Sequence, residues 1–237
     1  MIIKRTCYYL TFFTLILILF SFPQCKDTPF QSDHIKEGYI EYDIEYLSDS
    51  MDTFIQSFLP DKMKVKFKDH NTRNQLKCMG GVFNLTNIKK YEEGTNITLV
   101  EFIDKKYKYS EDNDEPSLFF QERPEIVIQK TDSTKKISGY TCKEAEVTIS
   151  SENSGEVNQF SIYHTDKINV KGFNEQTPFE SVDQVLLEFQ MYFYGIPMKF
   201  KASKIKQTNI PSETFEIPRG YKKVNRETMK EIIELLK

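Results

Sequence analysis

From Gly38 to Leu47 the chain reads GYIEYDIEYL, with Ile40, Tyr42, Ile44 and Tyr46 alternating against Glu41, Asp43 and Glu45. A period of two turns one row inward and leaves the other in water, so the stretch predicts a strand with one wet face. Residues 61–69, DKMKVKFKD, repeat the pattern with Met63, Val65 and Phe67 inward and Lys62, Lys64, Lys66 and Lys68 outward. If these two strands pair, an acidic row meets a basic one, each opposed pair contributing roughly 0.2 to 1 kcal/mol. The lysine row reads as a solvated strand face that also discourages pairing with another molecule. Between them, SDSMDTFIQSFL changes period: Met51, Phe54, Ile55, Phe58 and Leu59 fall on one helical stripe, Ser48 to Ser50 offer a cap, and Pro60 a stop. That predicts an amphipathic helix laid on a sheet.

Further strands are expected around Asn74–Met79, Val82–Ile88, Thr95–Ile103, Lys105–Ser110, Glu125–Gln129, Thr141–Ile149 and Val157–His164. Gly80-Gly81, Glu92 to Gly94, SEDNDEP and ENSG supply the turns. Thr177, Pro178 and Glu180 have the spacing of a capping box with Pro at the first helical position, which predicts a short helix to about Asp183. LLEFQMYFYGIPMKFKASKI then reads as a hairpin, with Leu187, Phe189, Met191 and Phe193 on one face, a turn at Gly195 to Pro197, and Met198, Phe200 and Ala202 alternating back. Asn225 caps a last helix whose Met229, Ile232, Ile233 and Leu236 form an apolar stripe. The expected fold class is mainly β (α+β), a strongly curved antiparallel sheet with two or three short helices in a single domain over 38–237.

The first residues read differently. Lys4 and Arg5 precede an uncharged apolar run from Thr6 to Gln24, the composition of an export leader. The run stops at Pro23, Cys25 follows almost at once, and CKDTPFQSDHIKEG is polar. Residues 1–24 are therefore read as a signal peptide and 25–37 as a lipidated Cys25 with a flexible tether, the alternatives being an uncleaved anchor, since the run is long enough to span a bilayer, and ordinary secretion. The resemblance is to a bacterial lipoprotein signal, although Phe22, Pro23 and Gln24 depart from its usual residues. Two or more acyl chains would give stable membrane attachment where one does not.

Net charge is −3, with basic residues interleaved among apolar ones, which argues against a nucleic-acid partner. Beyond Cys7 and Cys25 there are Cys78 and Cys142. An oxidising compartment permits them to form a disulfide, and two buried thiols acting as small hydrophobes fit the sequence equally well. No CxxC, metal-spaced His pair, nucleophile elbow or phosphate-cradling Gly loop is present, so no catalytic residue, metal or cofactor is expected. His34, His70 and His164 read as ordinary turn or surface residues. Phe and Tyr make up 14% of the chain with no Trp, and with Met63, Met79, Met191 and Met198 they could line an adaptable apolar cavity or fill a core.

KKISGYTCKEAEV (Lys135 to Val147), FSIYHTDKI (Phe160 to Ile168), TPFESVDQVLLEF (Thr177 to Phe189) and FEIPRGYKKV (Phe215 to Val224) together resemble periplasmic lipoprotein domains of Bacteroidota, the GLPGLI-like type. Ser181 to Val185 stands where that type has its Gly-Pro-Gly core. Such domains resemble the LolA/LolB lipoprotein-carrier superfamily, which implies a half-barrel with helices as a lid over an apolar cavity. The function this implies is non-enzymatic binding of a lipid, acyl chain or other hydrophobic small molecule by a lipid-anchored protein of the bacterial cell envelope. The periplasmic or cell-surface side of the outer membrane is its expected place. Phe189, Met191, Phe193, Met198 and Phe200 are the expected lining, and Phe54, Ile55 and Phe58 the expected lid. The alternative is a non-catalytic interaction or scaffold module with an envelope protein partner.

Overall fold

The computed structural model describes residues 34–48, 53–112, 115–118, 126–150 and 157–234. The leader, Cys7 and Cys25 lie outside them. The elements are β1 (Glu37–Tyr46), α1 (Thr53–Gln56), β2 (Lys62–Lys68), β3 (Asn71–Cys78), β4 (Phe83–Lys90), β5 (Thr95–Phe102) and β6 (Lys105–Ser110). They continue as β7 (Ile126–Ile137), β8 (Tyr140–Ser150), β9 (Val157–Thr165), β10 (Val185–Phe193), β11 (Ile196–Gln207), β12 (Lys222–Lys223) and α2 (Arg226–Glu234).

Twelve strands form one sheet in the order β12-β6-β5-β4-β3-β2-β1-β11-β10-β9-β8-β7. Every pairing is antiparallel except β12 on β6. The chain walks outward from β1 to β6, restarts at the opposite edge as β7, and walks back inward to β11. β1 is therefore the seam, bonded to β2 on one side and β11 on the other. The sheet is open and not strongly curled, which corrects the expected strong curvature. Its reverse face explains part of this: a second apolar cluster sits there, so the sheet does not have to bend around all its apolar residues.

The charge pattern of β1 and β2 sets their pairing. Glu41 lies opposite Lys64 and Asp43 opposite Lys62, with ion pairs of 2.8 and 2.7 Å, and Lys68 reaches Glu37 at 3.2 Å. β11 brings a second lysine row to the other side of the same acids, with Glu41 opposite Lys204 and Asp43 opposite Lys201. On the inner face Ile40, Tyr42, Val65 and Phe67 are at most 1% exposed.

Hairpins close where the backbone can take positive φ. Asp69 and His70, Ser138 and Gly139, and Tyr194 and Gly195 each form a two-residue turn with both φ positive. The last of these moves the expected turn forward, since Ile196 and Pro197 already belong to β11.

The inner face is covered by connections more than by helices. Leu118, Phe179 and Val182 enter the main core together with Met229 and Ile233 of α2. Asn225 caps α2 as expected, its Oδ1 accepting from Thr228 N at 3.0 Å. Arg226 fastens the same end, donating to Pro116 O at 2.8 Å and pairing with Glu115 at 2.9 Å.

Two expected helices are shorter or absent. Residues 177–183 form successive turns, because Thr177 Oγ1 donates back to Asn174 O at 2.6 Å and Asn174 Nδ2 donates to Gln184 O at 2.9 Å. Side chains bonding local backbone in this way compete with a helix. Of the expected Ser48–Leu59 helix, residues 49–52 lie outside the described ones, and the described part is helical only over the four residues of α1, ended by Ser57 N and Leu59 N donating to residues three back. Phe54 is 70% and Phe58 40% exposed, so this turn does not lie on the sheet.

On the reverse face Ile88, Ile97 and Leu99 are buried under Ile210 and Phe215, with Ile217 and Tyr221 packed alongside. Tyr221 also donates its hydroxyl to Glu101. The segment FEIPRGY is thus the cover of this second core.

Candidate functional site

The five residues expected to line a cavity sit together on the inner face of β10 and β11, through the pairs Phe189 with Phe200 and Met191 with Met198. None is more than 7% exposed. The Phe189 and Phe200 rings are stacked at 4.9 Å, and Tyr42 and Phe179 meet Phe189 edge-on at 5.8 and 5.9 Å. Tyr42 in turn donates to Leu186 O at 2.7 Å. Phe189 and Phe200 are core residues with aromatic neighbours on several sides. Phe54 and Phe58, the expected lid, face each other at 4.9 Å away from this core, and the side chain of Ile55 lies outside what is described.

Met191 and Met198 also border open space. β9 pairs with β10 only through residues 163–165 and 185–188, and beyond that the two strands separate. The notch has a volume of about 290 Å³ and is lined by Met191, Met198, Leu47, Phe160, Ile149 and Pro197 among others. No side chain lining it is charged.

Two larger clefts lie at the other end of β9, sharing Asp166 and Gln184. The segment entering β1 runs between them: His34 Nδ1 donates to Asp166 O at 2.7 Å, Ile35 N donates to Lys167 O at 2.8 Å, and Ile35 bridges Ile168. The chain is thus tied to the domain from His34 onward. One cleft, of about 650 Å³, has Glu175, Glu180 and Asp183 on its walls. The other, of about 580 Å³, holds His164 with Lys130, Lys143 and Lys167. Sequence reasoning set His164 aside as ordinary; its place at a strand end among Tyr163, Thr165 and Asp166 was the available signal.

Outside the clefts a buried carboxylate joins three strands. Glu188 on β10 pairs with Lys135 of β7 at 2.8 Å and Lys199 of β11 at 3.3 Å. Lys135 Nζ also stands 4.5 Å over the Tyr163 ring. Burial works against the charge of Glu188, but Lys135 and then Lys199 outweigh it and hold its pKa below the ordinary 4.5. A depressed carboxylate contributes stability that is complete above its unfolded pKa and lost as pH falls through the folded one. Glu188→Gln is therefore expected to lower stability at pH 7 by roughly 1 to 3 kcal/mol and to flatten its decline between roughly pH 5 and 3. Urea titrations at several pH values would show this, and parallel curves for the two proteins would refute it.

Cys78 and Cys142 are separate buried thiols, pushed by burial up to about 12 and about 11. Among the described residues no group of three or more His, Cys, Asp or Glu is placed to hold a metal ion.

No family model and no curated protein matches this chain. Among solved structures, PNGF-II in a P21 crystal form is similar over 85% of this chain, with 15% identity and a TM-score of 0.51. The similar region is 34% of the PNGF-II chain, so this chain spans about a third of its length. At that identity the likeness is one of fold: a mostly β protein built on a large sheet.

Proposed function

We propose that this chain is a non-enzymatic binding protein of the bacterial cell envelope, exported by its leader and held to the membrane through Cys25, which takes an apolar chain in the notch between β9 and β10. The observation that carries this reading is the notch itself, uncharged throughout and bordered by two methionines. Thioether side chains adapt to flexible apolar ligands, and each methylene buried contributes about 0.8 kcal/mol. The reading keeps the ligand class that the carrier-like resemblance implies and moves the binding place away from a half-barrel interior, since Phe189 and Phe200 are occupied in packing.

Native mass spectrometry of the protein purified from bacterial membranes in a mild detergent tests it. An apolar molecule retained after detergent exchange, and lost in Leu47→Glu with the thermal midpoint unchanged, is the expected result. Leu47 is 37% exposed, so a charge there reaches the notch without entering the core. A bare protein mass in the wild type overturns the reading. It would favour the interaction-module alternative, whose own observation is the exposed Phe54 and Phe58 pair.

A further inference from the structure

The cleft around His164 is built by an irregularity in the sheet. Lys130 pairs with Ala145 and Thr134 with Lys143, so residues 131–133 bulge out of β7 opposite Glu144 alone. Bulges re-aim side chains and recur beside functional sites. This one raises a wall carrying Thr131, Asp132 and Ser133 beside the end of β9.

The floor of the cleft is set by register. Lys143 lies directly opposite His164, and Lys130 lies opposite Ala145, two residues along β8 from Lys143. Alternation places Lys130, Lys143 and His164 on one face of three adjoining strands. Lys167 adds a third ammonium from the segment after β9. Among the described residues none of these lysines has an ion-pair partner, while lysines elsewhere on the sheet, such as Lys62, Lys64, Lys89 and Lys135, do.

His164 is only 5% exposed, lines the cleft, and its ring has no hydrogen-bond partner among the described residues. Among the described residues the buried side-chain atoms without a partner do not include its ring nitrogens, so these open on the cleft, where a ligand can meet them. The acids around it do not serve. Glu144 is engaged by the Thr131 hydroxyl at 3.2 Å and the Tyr163 hydroxyl at 2.9 Å, and Asp132 and Asp166 are exposed.

We propose that this cleft binds a phosphate-type dianion, with His164 donating a hydrogen bond to it from the floor and Lys130, Lys143 and Lys167 supplying the charge. The hydroxyl of Thr134 on the wall is placed to serve as a further donor. The volume of about 580 Å³ leaves room for an organic group beyond the phosphate, so a phosphate monoester fits as well as the free ion. Burial, Lys130 and Lys143 hold the His164 pKa below 6.5 against the opposing pull of Asp166. A bound dianion offsets those lysines and raises it. Lys167, Glu144 and Asp132 are the other charged groups around the cleft and act in both states.

The test follows the three imidazoles of the full chain by NMR in detergent, with His164→Asn assigning the resonance. Inorganic phosphate and glycerol 3-phosphate are added separately at matched ionic strength. Saturable binding below about 10 mM with an upward shift of the His164 pKa is expected from either ion or both. Tighter binding of glycerol 3-phosphate identifies the ligand as an ester, and tighter binding of phosphate identifies the free ion. Lys130→Ala with Lys143→Ala, both at exposed positions, is expected to weaken binding by about tenfold or more. A His164 resonance that responds to neither ion, or equal affinity in the double variant, overturns the proposal.

Discussion

Phe200→Ala is expected to lower the stability of the domain by about 3 to 5 kcal/mol, the range for truncating a buried Phe. Phe200 is 1% exposed, lies opposite Ile44 on β1 and Phe189 on β10, and stacks flat on the Phe189 ring. Removing the ring leaves a hole at the middle of the core, and neighbours on two fixed ladders have little freedom to close it. A ring lining a ligand cavity would behave otherwise: truncation would enlarge a space already present and cost only the ring's own burial. The urea midpoint of the variant, measured without added lipid, separates the two. A loss of about 3 kcal/mol or more fixes Phe200 as core, whereas a loss near 1 kcal/mol returns it to the lining of a cavity.

The contrast between core and cavity was not available to the sequence. Alternation in LLEFQMYFYG says that Phe189, Met191 and Phe193 share a face, and they do. It does not say what meets that face, because Tyr42 is separated from Phe189 by well over half the chain. Charge was more informative than hydrophobicity where both rows were visible, as with the acids of β1 and the lysines of β2, whose pairing follows from the residues alone. The second half of β7 was not legible for the opposite reason. Its KTDSTKK is polar on both faces, so no alternation marks it, and the bulge it contains decides where the His164 cleft lies.

Helices were legible in proportion to what they bury. α2 has a capping Asn225 and a stripe whose Met229 and Ile233 reach 0% exposure. The residues around α1 carry a comparable stripe, yet Phe54 stays 70% and Phe58 40% exposed. Periodicity states a preference, and packing against a partner is what stabilises a short helix. The motifs behind the family resemblance have structural uses here. Gly139 of ISGYTC sits in the turn between β7 and β8, and Phe215 and Tyr221 of FEIPRGY close the reverse face.

The seam position of β1 leaves its first residues no room for an added side chain between β2 and β11. Gly38 faces Phe67 on β2 and Gln207 on β11. A Cβ at Gly38 would overlap the backbone oxygen of Lys206 and lie 3.1 Å from its carbonyl carbon and 3.2 Å from the Gln207 Cα. A flexible side chain could step aside, but these are backbone atoms, and Lys206 is held in the ladder opposite Tyr39. Gly38→Ala must therefore part β1 from β11, the strand pairing that, among the described residues, joins the β2 to β6 half of the sheet to the β7 to β10 half. The expected loss is about 3 kcal/mol or more, beyond ordinary overpacking. Gly195→Ala is the control: nothing lies within 4 Å of its Cβ, and only the positive φ of +82° opposes it, a cost of about 1 kcal/mol. Amide hydrogen exchange decides between a local and a seam effect. Faster exchange across β1 and β11 in Gly38→Ala, with β4 and β5 still protected, is the expected pattern. Protection lost uniformly, or no more loss than in Gly195→Ala, would show that β1 is not the junction on which the two halves depend.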